Sequence, residues 1–146
     1  MLVLMQILAT LSAGLFAGAA IYISLVEHPV RTILNTRAAA TQWAPSYKRA
    51  TWMQAPLAIV GLLTGALAGI LGGGFGWLIG AVLIGSVVPI TFKIIMPTNQ
   101  RLLEPGRDLD SSETRALLDK WGQLHLIRSG LSLLAFLLFA WLQSET

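Results

Sequence analysis

Apolar residues run almost unbroken from Leu2 to Val26, and the pattern returns over residues 54–71, 74–96 and 124–142. A helix needs about 20 such residues to cross the hydrocarbon core of a bilayer. The pattern therefore predicts an all-α fold, a four-helix transmembrane bundle forming one domain over residues 1–146. The second stretch reaches full length only if Trp52 and Met53 belong to it. The joint between the second and third stretches, GILGGGFG, carries no charge and predicts a tight helical hairpin. No positive residue precedes the first stretch, and it is too long for a secretory leader, so it reads as an anchor whose N-terminus lies outside.

Polar positions set the remaining elements. Thr36 to Trp43 predicts a short interfacial helix in the first loop, which Pro45 breaks or restarts. EPGRD reads as a turn, and DSSE as a helix N-terminus capped by Asp110 or Ser111, with Glu113 favoured by the helix dipole. From that cap one helix runs through His125 into the last span, extending it into the cytoplasm. Both the first and third spans exit through a proline followed by an arginine, in EHPVR and IIMPTNQR, a faint internal similarity.

Composition agrees with a membrane. Hydrophobic residues make up 55% of the chain and charged residues 12%, against about a quarter charged in soluble domains. The absence of cysteine excludes disulfides, thiolate nucleophiles and thiolate metal sites. All ten Lys and Arg residues lie in or beside the loop between spans one and two or the loop between spans three and four. Positive charge marks the cytoplasmic side, so both long loops are expected in the cytoplasm and both termini outside, in a bacterial inner membrane. This placement accounts for the net charge of +3 without nucleic acid as a partner. Small residues four apart (Gly14 and Gly18; Gly61, Gly65 and Gly69; Gly76 and Gly80) predict close helix packing in lipid.

This topology gathers polar residues at one membrane face. Span one ends in Glu27, His28 and Arg31; span three ends in Lys93, Thr98, Asn99 and Arg101; span four begins with Trp121, His125 and Arg128. Leu117, Trp121, Leu124, His125 and Arg128 share one helix face. Trp43, Tyr47 and Trp52 form either an aromatic belt or the wall of a pocket. Lys93 is expected to snorkel, Arg101 to lie among headgroups, and Glu27 and Arg31 to form an i, i+4 pair. Arg128 lies inside the last span, where an unpaired charge is costly; it should face the bundle and find an acceptor, with Glu27 the leading candidate. No metal is predicted. Glu27, His28 and His125 would supply the count for non-haem iron, but adjacent helical side chains diverge by about 100°. Nothing specific supports haem held by the two histidines.

EHPVR after span one, WAPSYKRA in the first loop, IMPTNQRL after span three and KWGQLHLIRS before span four resemble, in this order, the anthrone oxygenase-like integral membrane proteins. The resemblance covers nearly the whole chain. It implies four membrane helices and oxidation of a hydrophobic aromatic substrate by molecular oxygen, without a cofactor. A histidine would take the acidic methylene proton, and Arg128 and Asn99 would stabilise the developing oxyanion. By the resemblance, His28, His125, Arg128 and Asn99 form the catalytic group with Glu27 orienting, and Trp121 binds substrate. Tyr47, Trp43, Arg31 and Arg101 are the other candidates for binding it. The expected partners are a hydrophobic small molecule and the lipid bilayer, and a homo-oligomer is compatible. Two other functions fit the same residues: a binding or carrier protein for a lipophilic molecule or quinone, and a structural subunit whose polar layer locks the bundle.

Overall fold

A computed structural model describes residues 1–145. Four helices are long and apolar enough to cross a membrane: α1 (Leu2–Ile33), α2 (Thr36–Gly73), α3 (Phe75–Leu102) and α4 (Ser112–Ser144). Among the described residues no strand occurs. α1 packs between α2 and α4, and α3 closes the opposite corner against the same two helices. Each helix runs past the apolar stretch that marks it in the sequence. Small side chains fill the interior: the buried face of α1 includes Ala9, Ser12, Ala13, Ala17 and Ala20. Large ones such as Leu11, Leu15, Val82 and Leu134 point outward, as expected where lipid is the solvent.

The segment expected as a separate interfacial helix is the first part of α2. Only Leu34 and Asn35 separate α1 from α2. Asn35 caps α2 by accepting from the Ala38 N–H at 2.9 Å. Arg115 of α4 donates to the Leu34 carbonyl at 2.5 Å and to the Thr36 hydroxyl at 3.2 Å, closing the other side of the break. Pro45 and Pro56 sit inside α2 without ending it. A proline forfeits one N–H bond, and here the flanking turns carry the helix through. Of the two capping candidates for α4, Ser111 accepts from the Thr114 N–H at 3.1 Å. Asp110 instead receives Arg37 at 2.6 Å.

The two proline exits share a local structure. In α1 a π-turn spans Ile23–Glu27, with the His28 N–H bonded to the Ile23 carbonyl, and Pro29 follows. In α3 a π-turn spans Thr91–Ile95, with the Met96 N–H bonded to the Thr91 carbonyl, and Pro97 follows. The proline ring clashes with the carbonyl four residues back, and a wider turn just before it relieves that clash. In both helices the residue two past the proline is buried: Arg31 in one, Asn99 in the other.

The hairpin between α2 and α3 turns on glycines with left-handed backbone, Gly72 at φ 104° and Gly74 at φ 91°. Of the glycines spaced by four, all but Gly18 accept side chains from the facing helices, and Gly18 looks onto open space. Phe139 of α4 lies against Gly65 and Gly80, Phe136 against Gly14, and Leu142 against Gly76. Two apolar clusters result. One contains Phe16, Trp77, Ile84 and Phe139, the other Trp43, Ile95, Leu118 and Trp121. Between them α4 contributes His125, Arg128, Ser129 and Ser132, all buried.

A Cβ at Gly80 would press into the Phe139 ring, whereas one at Gly18 meets nothing. Gly80→Ala is expected to destabilise the detergent-solubilised protein by roughly 1–3 kcal/mol, the usual cost of overpacking. Gly18→Ala should leave thermal unfolding unchanged or slightly raised.

Candidate functional site

Glu27 does not meet Arg128. Its Oε1 accepts from Arg31 at 2.6 Å, from Gln42 at 3.1 Å and from the Ser46 hydroxyl. The expected Glu27–Arg128 pair fails for a local reason. The chain re-enters α2 two residues after α1, so Gln42 and Ser46 stand opposite the π-turn, and Arg31 lies one turn further along α1. The expected Glu27–Arg31 pair is present, but with Arg31 buried. Arg31 also donates to Gln42 Oε1 at 2.5 Å and to His28 Nδ1 at 3.3 Å. Its guanidinium lies 5.6 Å from the centre of the Trp121 ring.

The two histidines flank the same indole. His28 lies 5.5 Å and His125 4.9 Å from Trp121, centre to centre. The His28 imidazole occupies the space that a Cβ on Gly122 would fill, so glycine at 122 is what admits it. Because a guanidinium only donates, His28 Nδ1 accepts from Arg31 and its hydrogen sits on Nε2. Its lone pair is therefore engaged. His125 is 2% exposed and contacts Ser24 Oγ through Nδ1 at 3.1 Å. Ser24 in turn lies 2.8 Å from Ser129 Oγ. Neither serine stands out in the sequence; the π-turn that presents Ser24 to α4 is what brings it into the site.

Arg128 is 8% exposed and forms no ion pair among the described residues. Its Nη2 donates to Gln54 Oε1 at 2.6 Å, and its guanidinium lies 5.4 Å from the centre of the Phe16 ring. Among the described residues its Nε has no hydrogen-bond partner, nor does Gln54 Nε2. Gln54, which the sequence reading passed over, thus takes the place foreseen for Glu27. Arg128 lines a cavity of about 90 Å³ between α2 and α3, with Tyr47, Thr51, Thr91, Phe92 and Met96 among its walls. Phe92 is 63% exposed, so the cavity reaches the lipid-facing surface.

The remaining candidates divide. Tyr47 lines this cavity and stacks on Trp43 at 5.1 Å, and Trp43 meets Trp121 edge-on at 5.8 Å. Asn99 is fully buried with both amide atoms unpartnered among the described residues, and its helix neighbours Ile95 and Leu102 belong to the apolar cluster that holds Trp43 and Trp121. Lys93 is exposed. Arg101 is exposed and pairs with Glu113, pinning the 103–111 loop rather than entering the cavity. A wider open groove of about 620 Å³ between α1 and α2 passes Glu27, Gln42, Ser46 and Arg49. Among the described residues no three His, Asp or Glu side chains converge as metal ligands would.

The profile of the family described as "Anthrone oxygenase" matches residues 43–138. That range holds Trp43, Tyr47, Gln54, Asn99, Trp121, His125 and Arg128, and leaves out Glu27 and His28. Anthrone oxygenase tpcL of Aspergillus fumigatus is 30% identical over 139 residues, covering 87% of this chain and 85% of that protein. No solved structure matches the chain significantly.

A buried cation with one neutral acceptor depends heavily on that acceptor. Gln54→Leu is expected to cost roughly 1.5–3 kcal/mol, the range for hydrogen bonds to charged groups. The double variant Gln54→Leu/Arg128→Met should recover most of that loss, as read by thermal unfolding in detergent.

Proposed function

We propose a function from one premise: this chain belongs to the anthrone oxygenase family. On that premise it is a membrane oxygenase for a flat, lipid-soluble aromatic ketone with an acidic methylene group. The observation that carries the reading is Arg128, a buried guanidinium without a carboxylate partner among the described residues, lining an apolar cavity. Such a site favours a ligand that brings its own negative charge. The enolate of an anthrone-like ketone is such a ligand, and its ring faces suit walls that include Tyr47 and Phe92.

The reaction balances without a further reductant. A base takes one methylene proton. The carbanion passes an electron to dioxygen, and a C–O bond forms to give a peroxide at that carbon. Loss of the second methylene proton breaks the O–O bond, leaves a carbonyl and releases hydroxide, which takes up the first proton as water. The substrate supplies the electrons, so the reading calls for no cofactor. Arg128 holds the ketone oxygen as it becomes an oxyanion; one such donor is worth about 10²–10³-fold in rate. His125, three residues before Arg128 on the same face of α4, is the base, because Arg31 already engages the lone pair of His28. His125 does not line the cavity, so proton transfer requires the rings of Tyr47, Trp43 and Trp121 to part when substrate enters. That separation also favours a second reading, a carrier that binds the same anion and performs no chemistry. The end of α1, the start of α2 and the 103–111 loop after α3 face the cytoplasm of a bacterial cell in either case.

Purified protein in lipid nanodiscs should accelerate aerobic conversion of anthrone to anthraquinone. Arg128→Met and His125→Ala should each lower the rate by roughly 10²-fold or more, and His28→Ala by much less. Anthrone retained stoichiometrically with no acceleration would favour the carrier. Orientation is testable separately because the chain has no cysteine. A single cysteine placed at Gly106 should react with an impermeant maleimide only in inside-out vesicles.

A further inference from the structure

His125 is held by a chain of three short contacts that contains no carboxylate. Its Nδ1 lies 3.1 Å from Ser24 Oγ, Ser24 Oγ lies 2.8 Å from Ser129 Oγ, and Ser129 Oγ lies 3.0 Å from the Ala20 carbonyl oxygen. Three contacts between lone-pair-bearing atoms need three hydrogens. Three groups can supply one each: the ring nitrogen, the Ser24 hydroxyl and the Ser129 hydroxyl. The Ala20 carbonyl has none to give, so the last contact takes the hydrogen of Ser129. Ser129 then accepts from Ser24, and Ser24 accepts from Nδ1. Any other placement sets two lone pairs against each other inside the bundle, where an unmade hydrogen bond is costly. The longer contact of Ser129 Oγ with the His125 carbonyl, at 3.4 Å, also ends on an acceptor and leaves the count unchanged.

We infer that Ser24 and Ser129 are positioning residues that lock His125 in the Nδ1–H tautomer, making Nε2 the basic nitrogen of the neutral ring. The chain crosses from α4 to α1, back to α4, and ends on α1. Ring orientation is thereby tied to the packing of the two helices and to the π-turn that carries Ser24. His28 is set the opposite way, with its hydrogen on Nε2, because Arg31 donates to its Nδ1. One histidine is thus fixed with its lone pair engaged and the other with a lone pair that no group among the described residues engages. The use of Nε2 as a base rests on the oxygenase reading above; the tautomer does not.

The test is long-range ¹H–¹⁵N correlation spectroscopy of the ¹⁵N-histidine-labelled protein in detergent or nanodiscs. The chain has two histidines, so a His28→Gln variant assigns both rings. His125 should give the Nδ1–H pattern. Ser24→Ala and Ser129→Ala should convert it to a mixture or to Nε2–H, and Ser24→Thr, which keeps the hydroxyl, should restore it. An Nε2–H pattern for His125 in the unmodified protein overturns the inference. So does an Nδ1–H pattern that survives both alanine changes in protein with native helical content. Anthrone turnover measured on the same samples separates the two claims. Ser24→Ala should lower kcat roughly 10-fold or more with little change in KM. A tautomer shift with unchanged turnover supports the assignment and removes His125 as the base.

Discussion

The rest of the bundle is arranged around one unneutralised charge. A guanidinium at membrane depth costs at least about 2.5–3.5 kcal/mol on insertion scales, and among the described residues Arg128 has no carboxylate to offset it. What it has is an amide dipole from α2 and an aromatic face from α1: Gln54 Oε1 at 2.6 Å and Phe16 at 5.4 Å. Three helices must therefore close together for the charge to be tolerated at all. The small residues of α1 and the glycines that admit Phe136 and Phe139 serve this closure, because they let α4 sit deep between its neighbours. A structural lock alone would be better made with an apolar side chain, since even a buried ion pair barely repays its own desolvation. On the proposed function, the cation beside the cavity is a ligand site kept open at some cost in stability.

The acid that could have neutralised Arg128 is held elsewhere by the local form of α1. The π-turn over Ile23–Glu27 and the two-residue break before α2 turn Glu27 toward Gln42 and Ser46, with Arg31 completing the set. These donors saturate one carboxylate oxygen and leave no reason for Glu27 to reach inward. The result is a segregation of charge. A compact acid–base knot sits at the end of α1, in contact with the Trp121 ring through Arg31 and His28. A separate cationic pocket lies deeper. Trp121 and Trp43 stand between the two regions, and Tyr47, stacked on Trp43, is the ring that belongs to both the aromatic wall and the cavity.

Hydropathy carried the four spans in the sequence, because a chain of this size has no core large enough to bury four helices that are apolar all round over a membrane's thickness. The cap at Asp110 or Ser111 and the hairpin glycines were legible for the same kind of reason: each is a local rule with few competitors. Partner choice was not legible. Whether Glu27 or Gln54 serves Arg128 depends on where α1 rotates, and rotation is set by a π-turn that adds a residue without changing composition. The two Pro exits hinted at this, but the sequence signal was only X-Pro and an arginine; the shared turn and the burial of the residue two past each proline are properties of the folded backbone. Pro45 misled in the other direction. Loss of one N–H predicts a break or a restart at Pro45, yet α2 keeps the bonds on either side and continues through Pro56 as well. Ser24 and Ser129 carried no signal, since serine is common in membrane helices and its meaning lies in what it faces.

The two histidines show how far residue type falls short of chemical role. Both are buried or half-buried, both rest on Trp121, and both sit within a few residues of an arginine. Yet the hydrogen-bond direction at each Nδ1 is opposite. Arg31 can only donate, so His28 must accept, and its imidazole becomes a filler seated over the backbone of Gly122. At His125 the terminal acceptor of the chain is a carbonyl, so direction propagates outward from Ala20 through two hydroxyls to the ring. A difference of this kind cannot be expressed in a motif, because EHPVR and LHLIRS each display a histidine followed by an arginine three residues later. It follows only when every donor in the layer is counted. In an interior where an unmade bond is expensive, that count fixes which nitrogen keeps a lone pair.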